Sequence, residues 1–182
     1  VAPSISNFGT LKKDVLGFSL PISAICGDQQ ASLFSARQLV PDQKNLTKAT
    51  YGTGVFIMQD LGEGFLLENS FFTTLGADTK IGKPMYALEA KISDCASRVD
   101  PLVGKEELIV VLRALSEEVS VYLGKLSREP GILVADGGVI QDERLVLVQA
   151  QAAGIPVKPQ IVHNGTALGV SQMIFDNSEL GL

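Results

Sequence analysis

The longest regular spacing of apolar residues runs through 104–129. Leu108, Val111, Leu112, Leu115, Val119, Tyr122, Leu123 and Leu126 recur at three- and four-residue intervals, which predicts a helix with one apolar face. Glu106 and Glu107 open the stretch, Lys125 and Arg128 close it as the helix dipole favours, and Pro130–Gly131 ends it. Three more stretches read as helices: 28–40, before Pro41; 144–154, closed by Gly154; and 165–175, opening on small residues. Strand patterns alternate with them. "PISAIC", 21–26, reads as a buried strand, "ILVADGG", 132–138, as a buried strand running into a Gly pair, and "IPVKPQI", 155–161, as a short strand. Around "YGTG", two β-branched and apolar arms spanning 47–64 predict a hairpin broken by Gly52 and Gly54, and 70–92 predicts a second strand pair. A strand-rich first half and an alternating second half predict an α/β domain with a mixed sheet flanked by helices. No internal repeat or linker divides it.

Composition narrows the class. With 182 residues, 46% hydrophobic and 19% charged, the chain is long enough and apolar enough for one domain with a sizeable core. The net charge of −5 carries no basic stripe, which argues against nucleic acid or anionic membrane as a partner. No apolar run is long enough to span a bilayer, and Asn7, Gly9, Lys12, Lys13 and Asp14 interrupt the opening residues, unlike a signal peptide. Two cysteines and one histidine are too few for a Cys/His zinc site, and no metal ligands are assigned; a reducing, cytoplasmic setting is the expectation. With a single His, a general base is expected to be a carboxylate. The opening "VAPSISNFG" lacks an initiator Met, as a piece of a longer protein would.

Three glycine-containing stretches are candidates for chemistry, because ligands of open α/β sheets collect where strands end. In "GDQQ", Asp28 can cap a helix, or stay ionised and take a proton from a substrate hydroxyl; Gln29 and Gln30 are amides suited to hydroxyl groups. In "YGTG", Gly52, Thr53 and Gly54 can form an ordinary turn or present N–H groups to an anion. In "DGG", Gly137 and Gly138 can form a simple turn or bring bare backbone to a nucleotide, and Asp136 can orient that turn or approach Mg²⁺ through water. Neither a Walker A loop nor GxGxxG is present. His163 reads as a surface residue, Cys26 and Cys95 as structural, and Thr166 as the cap of the last helix.

The order "GDQQASLF" (27–34), "TYGTGVF" (50–56), "MYALEA" (85–90), "VADGG" (134–138) and "GTALGVS" (165–171) resembles the C-terminal domain of the FGGY family of carbohydrate kinases, and within it the glycerol kinases. The resemblance implies the ribonuclease-H-like fold of actin and hexokinase, with ATP and Mg²⁺ as cofactors and a polyol or sugar as substrate. By that likeness Asp28 is the general base, Gln29 binds substrate, Gly52, Thr53 and Gly54 meet the ATP phosphates, and Gly137 and Gly138 lie at the α-phosphate and ribose. The N-terminal kinase domain would be a missing partner, so the chain alone is expected to be a weak or inactive kinase. Homo-oligomers stay open, as do a pentulose or other sugar as substrate and a non-catalytic, actin-like nucleotide-binding module. The chain departs from the family in two places. Asp142 and Glu143 follow the Gly pair where the family has small residues and Asn. The stretch 90–104 replaces a Gly-Ala turn and a Gln that touch the nucleotide, and a segment of the family's domain is missing after it.

Overall fold

The computed structural model describes residues 2–77, 83–160 and 164–176. Chain order is β1 (Thr10–Leu11), α1 (Lys13–Leu16), β2 (Leu20–Pro21), α2 (Asp28–Leu39), β3 (Thr47–Tyr51), β4 (Val55–Gly62), β5 (Phe72–Leu75), β6 (Tyr86–Ile92), α3 (Cys95–Val99), α4 (Leu108–Leu123), β7 (Leu133–Asp136), α5 (Glu143–Ala153), β8 (Val157–Pro159) and α6 (Gly165–Asp176). Six strands form one sheet in the order β5-β6-β4-β3-β7-β8. The first four pair antiparallel, with β6 between β4 and β5, while β7 and β8 join parallel to β3. This mixed sheet is the one the sequence predicts.

Alternation along the strands sends successive side chains to opposite faces. Ala49, Tyr51, Val55, Ile57, Leu88, Ala90 and Leu133 pack against Leu108, Leu112, Leu115 and Val119 of α4 and Leu145 and Val148 of α5. The other face, with Leu46, Met58, Ala87 and Val134, meets Leu33 and Ala36 of α2. Helix α6 then lies on α2. A methyl group on Gly169 would come within 1.9 Å of the Ala31 carbonyl oxygen, so this crossing needs glycine. Gly169 of "TALG" therefore serves close helix packing.

Three expectations are corrected. "PISAIC" is not a buried strand: it lies outside the six-stranded sheet, bonded antiparallel to residues 4–10 through Pro21–Thr10, an Ile5–Ala24 bridge and backbone bonds such as Phe8 N–H to Ile22 O, and Ile25 is 57% exposed. An apolar run gives no direct sign of whether a partner covers it. Helix α4 is shorter than 104–129. Its ends run out as tighter turns in which Ile109 N–H donates to Glu106 O and Leu126 N–H to Leu123 O. The apolar spacing continues through these turns, and Leu126 is buried, but Glu106, Glu107, Lys125 and Arg128 lie outside the helix. Thr166 does not cap α6. Asn164 does, its Oδ1 accepting from Ala167 N–H at 2.9 Å. His163 lies outside the described residues. Among the described residues no helix is long and apolar enough to cross a membrane.

Candidate active site

The polar triplet sits where α2 begins. Gly27, with φ −64° and ψ 149°, takes the cap position, and Asp28 is the first helical residue. The Asp28 carboxylate remains exposed, and its Oδ1 accepts from the Gln29 N–H at 2.9 Å. That N–H is one of the helix's unpaired donors, so Asp28 serves the helix end without being enclosed by it. Gln29 turns toward the sheet, where its Oε1 accepts from Thr50 Oγ1 at 3.2 Å. Thr50 is the penultimate residue of β3, immediately before Tyr51–Gly52. Gln30 turns away and donates to Thr74 Oγ1 at 3.4 Å.

Beneath this triplet lies a polar network that sequence reasoning missed. Lys48, with a side chain only 1% exposed, places Nζ 2.8 Å from Asp136 Oδ1 and also donates to Thr50 Oγ1. Ser32, one turn into α2, donates to Asp136 Oδ2 at 2.6 Å. Burial pushes the Lys48 ammonium below its ordinary pKa, against the attraction of Asp136 and the weaker attraction of Asp28. Glu89 on β6 is pushed up by burial and then by the charge of Asp28. Both carboxylate oxygens of Asp136 are thus engaged, and it orients the structure around the Gly turn. Gly165 packs against the same pair: a methyl there would come within 2.9 Å of Asp136 Oδ2 and 3.0 Å of Ser32 Oγ. Thr166 Oγ1 donates to the Asp28 carbonyl at 3.2 Å. The elements bearing "GDQQ", "YGTG", "DGG" and "TALG" therefore converge through Thr50, Asp136 and Asp28. The available sequence signal was Asp136 itself, an acid ending a buried strand, which needs a cation nearby.

The glycines fall into two kinds. Gly54 and Gly137 are where backbones touch. A methyl on Gly54 would reach within 2.6 Å of Ile92 O, and one on Gly137, at φ +100°, within 2.2 Å of Tyr51 O. Gly52 and Gly138 instead line a cavity of about 320 Å³ with Tyr51, Val139, Gln141 and Asp142, and a methyl on Gly138 would meet nothing. Gly52 N–H donates to Gly54 O at 2.9 Å, while exposed Thr53 uses its carbonyl to accept from Ala96 N–H at 3.3 Å. The two acids after the Gly pair do not stand bare beside this cavity. Asp142 caps α5 and is chelated by Arg144 Nε at 2.9 Å and a terminal guanidinium nitrogen at 2.7 Å, hydrogen bonds that hold its carboxyl below the usual range. Glu143 is exposed at the helix start, where the dipole favours an acid. Among the described residues no group of three or more His, Cys, Asp or Glu gathers as a metal site.

No family model matches the chain. Glycerol kinase of Rippkaea orientalis is 27% identical over 232 aligned positions, covering 94% of this chain and 45% of that protein. The alignment is longer than this chain, so the relative carries a stretch the chain lacks. Plasmodium falciparum glycerol kinase with ADP superposes with a TM-score of 0.83 at 18% identity, over 98% of this chain and 47% of that one. A xylulose kinase of Brucella ovis gives 0.75 at 14% identity, over all of this chain and 49% of that one. The chain spans about half the length of the relatives it matches. Matched to glycerol kinases along 94% of its length, and sharing the actin/hexokinase-like ATPase fold of sugar kinases, the chain is similar to a partial, C-terminal-like domain of the FGGY carbohydrate kinases.

Proposed function

We propose that the chain is the C-terminal part of a cytoplasmic, ATP-dependent polyol or sugar kinase, glycerol-kinase-like, whose N-terminal domain forms the other wall of the cleft. The observation that carries this reading is the Asp28–Gln29–Thr50 connection, which ties an exposed carboxylate to the strand entering the glycine hairpin. Asp28 accepts the proton of the attacking hydroxyl, and Gln29, whose Nε2 lies only 3.5 Å from Asp28 Oδ2, offers an amide to a neighbouring hydroxyl. Gly52, Thr53 and Gly54 receive the phosphates, and Gly137 and Gly138 the α-phosphate and ribose. The open space at Gly138 and the cavity it shares with Gly52 fit a nucleotide approaching bare backbone.

Mg²⁺ is held in such sites by one or two carboxylates together with phosphates and water. Asp28 is the exposed acid suited to this, since Asp136 is enclosed by Lys48 and Ser32. Bound there, Mg²⁺ would supply neutralisation of phosphate charge, while the chain's own residues fix the in-line geometry. A polyol carries no charge for the protein to grip, so recognition falls to amides and hydroxyls such as Gln29.

The test is phosphotransfer by the full-length gene product against glycerol, pentuloses and hexuloses, with this chain assayed alone. Turnover should be selective for one polyol or sugar and fall about 10²–10⁴-fold with Asp28→Asn. This chain alone should turn over weakly or not at all. Undiminished turnover in the Asp28→Asn protein would remove the general-base role, whereas nucleotide binding without turnover by the full-length protein would favour a nucleotide-binding module without catalysis.

A further inference from the structure

Strand register lines up side chains on the α2 face of the sheet. Thr50 stands between Asp136 of β7 and Phe56 of β4, and Phe56 faces Lys91 of β6. One step along, Lys48 neighbours Met58, which faces Glu89. This face therefore carries Lys48, Glu89 and Lys91 beneath and beside Asp28, whose charge acts on both Lys48 and Glu89.

Its lysines have different commitments. Lys48 is enclosed by Asp136 and Thr50. Lys158 on β8 donates to Leu39 O at 3.1 Å. Lys91 is exposed, and no carboxylate among the described residues pairs with it. Its stem lies along the glycine hairpin, since a methyl on Gly54 would come within 3.3 Å of Lys91 Cε. Its ammonium rests 5.2 Å from the centre of the Phe56 ring. A cation–π contact at an exposed site contributes only about 0.5–1 kcal/mol, so a phosphate oxygen displaces it readily. Phosphoryl transfer spreads negative charge over three equatorial oxygens, and a positioned cation stabilises that charge. Lys91 belongs to the 90–104 stretch that departs from the family pattern, so the motifs alone give it no role.

We propose that Lys91 is a phosphate-contacting residue of this cleft. It leaves the Phe56 ring to hold the γ-phosphoryl group of a nucleoside triphosphate between the Gly52–Gly54 hairpin and the hydroxyl at Asp28. The proposal rests on the kinase reading above, and its test separates the two. MgATP and MgADP are titrated by calorimetry and thermal shift into the full-length gene product, as parent, and its Lys91→Gln and Lys91→Arg variants. Lys91→Gln should bind MgATP about tenfold more weakly, with MgADP changed less than about twofold. Lys91→Arg should retain most of the MgATP affinity, and unliganded melting temperatures should match the parent. Equal MgATP binding by parent and Lys91→Gln overturns the assignment while leaving the kinase reading intact. Equal weakening of MgATP and MgADP also overturns it, because the lysine then acts as a general charge. Binding of neither nucleotide by the parent removes the nucleotide site itself, and this assignment with it.

Discussion

The two faces of the central sheet solve different problems. Toward α4 and α5 the interior is apolar, built from residues such as Leu112, Leu115 and Ile57 with no exposed surface. Tyr51 reaches into it, and its hydroxyl bonds Gln149. Toward α2 and α6 the same strands bury Lys48, Asp136, Ser32 and Gln160. Transfer from water stabilises the first face, whereas the second offsets the desolvation of its charges by pairing them. Asp28 and Gln29 adjoin the second, while the cavity lined by Gly52 and Gly138 opens beside Val99 and Leu108 of the first. The charged groups thus collect on one face, and strands β3 and β7 serve both by alternation.

The sharpest way to break this comparison is the buried ion pair. Lys48→Met or Asp136→Asn should each cost about 3–5 kcal/mol, because each leaves a group in a site built for its charged partner. The double variant should recover a large part of that loss in urea unfolding; additive losses would mean the pair is not coupled. On the apolar face, Leu112→Ala should cost about 2–5 kcal/mol through a cavity, with no recovery from any polar partner. Cys95, buried in the same apolar cluster, has its thiol pushed up to about 11 by burial, with Arg98 opposing and Asp100 and Glu118 adding to the rise. The folded state keeps this proton when the unfolded state loses it. Stability should therefore fall as pH rises from about 9 to 11, by about 1.4 kcal/mol per unit at most. Cys95→Ala should flatten that part of the melting-temperature profile. The smallest stability effect belongs to Asp28→Asn, under about 0.5 kcal/mol in the same unfolding experiment, since its carboxylate is exposed and bonds to the adjacent Gln29. A large loss there would make Asp28 a structural cap.

Legibility in the sequence follows the same division. Helix α4, the hairpin around Gly52–Gly54 and the strand ending at Asp136 announce themselves because each follows a local period or a backbone break. The polar network does not, because Lys48 and Asp136 meet only across the parallel β3–β7 pairing. In "TKATY" a lysine reads as an exposed position, and no local rule says that an acid far along the chain will enclose it. "PISAIC" fails in the opposite sense, since its apolar residues pair with the opening segment, outside the central sheet, and remain partly exposed. For the site, the ordered motifs identified Asp28, Gln29 and the glycines as candidates, and the structure brings their elements together. It also divides the glycines into packing positions, Gly54 and Gly137, and cavity-lining ones, Gly52 and Gly138, a distinction that depends on which backbone lies opposite.

The contact of Gly137 with Tyr51 has a consequence in time. The antiparallel strands β3, β4, β5 and β6 follow one another closely and can pair by short-range search, whereas β7 must return from far along the chain to lie parallel to β3. Only that late arrival seats Gly137 against the Tyr51 carbonyl and delivers Asp136 to Lys48. Pulse-labelled hydrogen exchange during refolding should protect the β4–β6 amides before those of β7. The candidate nucleotide pocket then forms only once β7 has docked, and a nucleotide would select chains that have reached that stage.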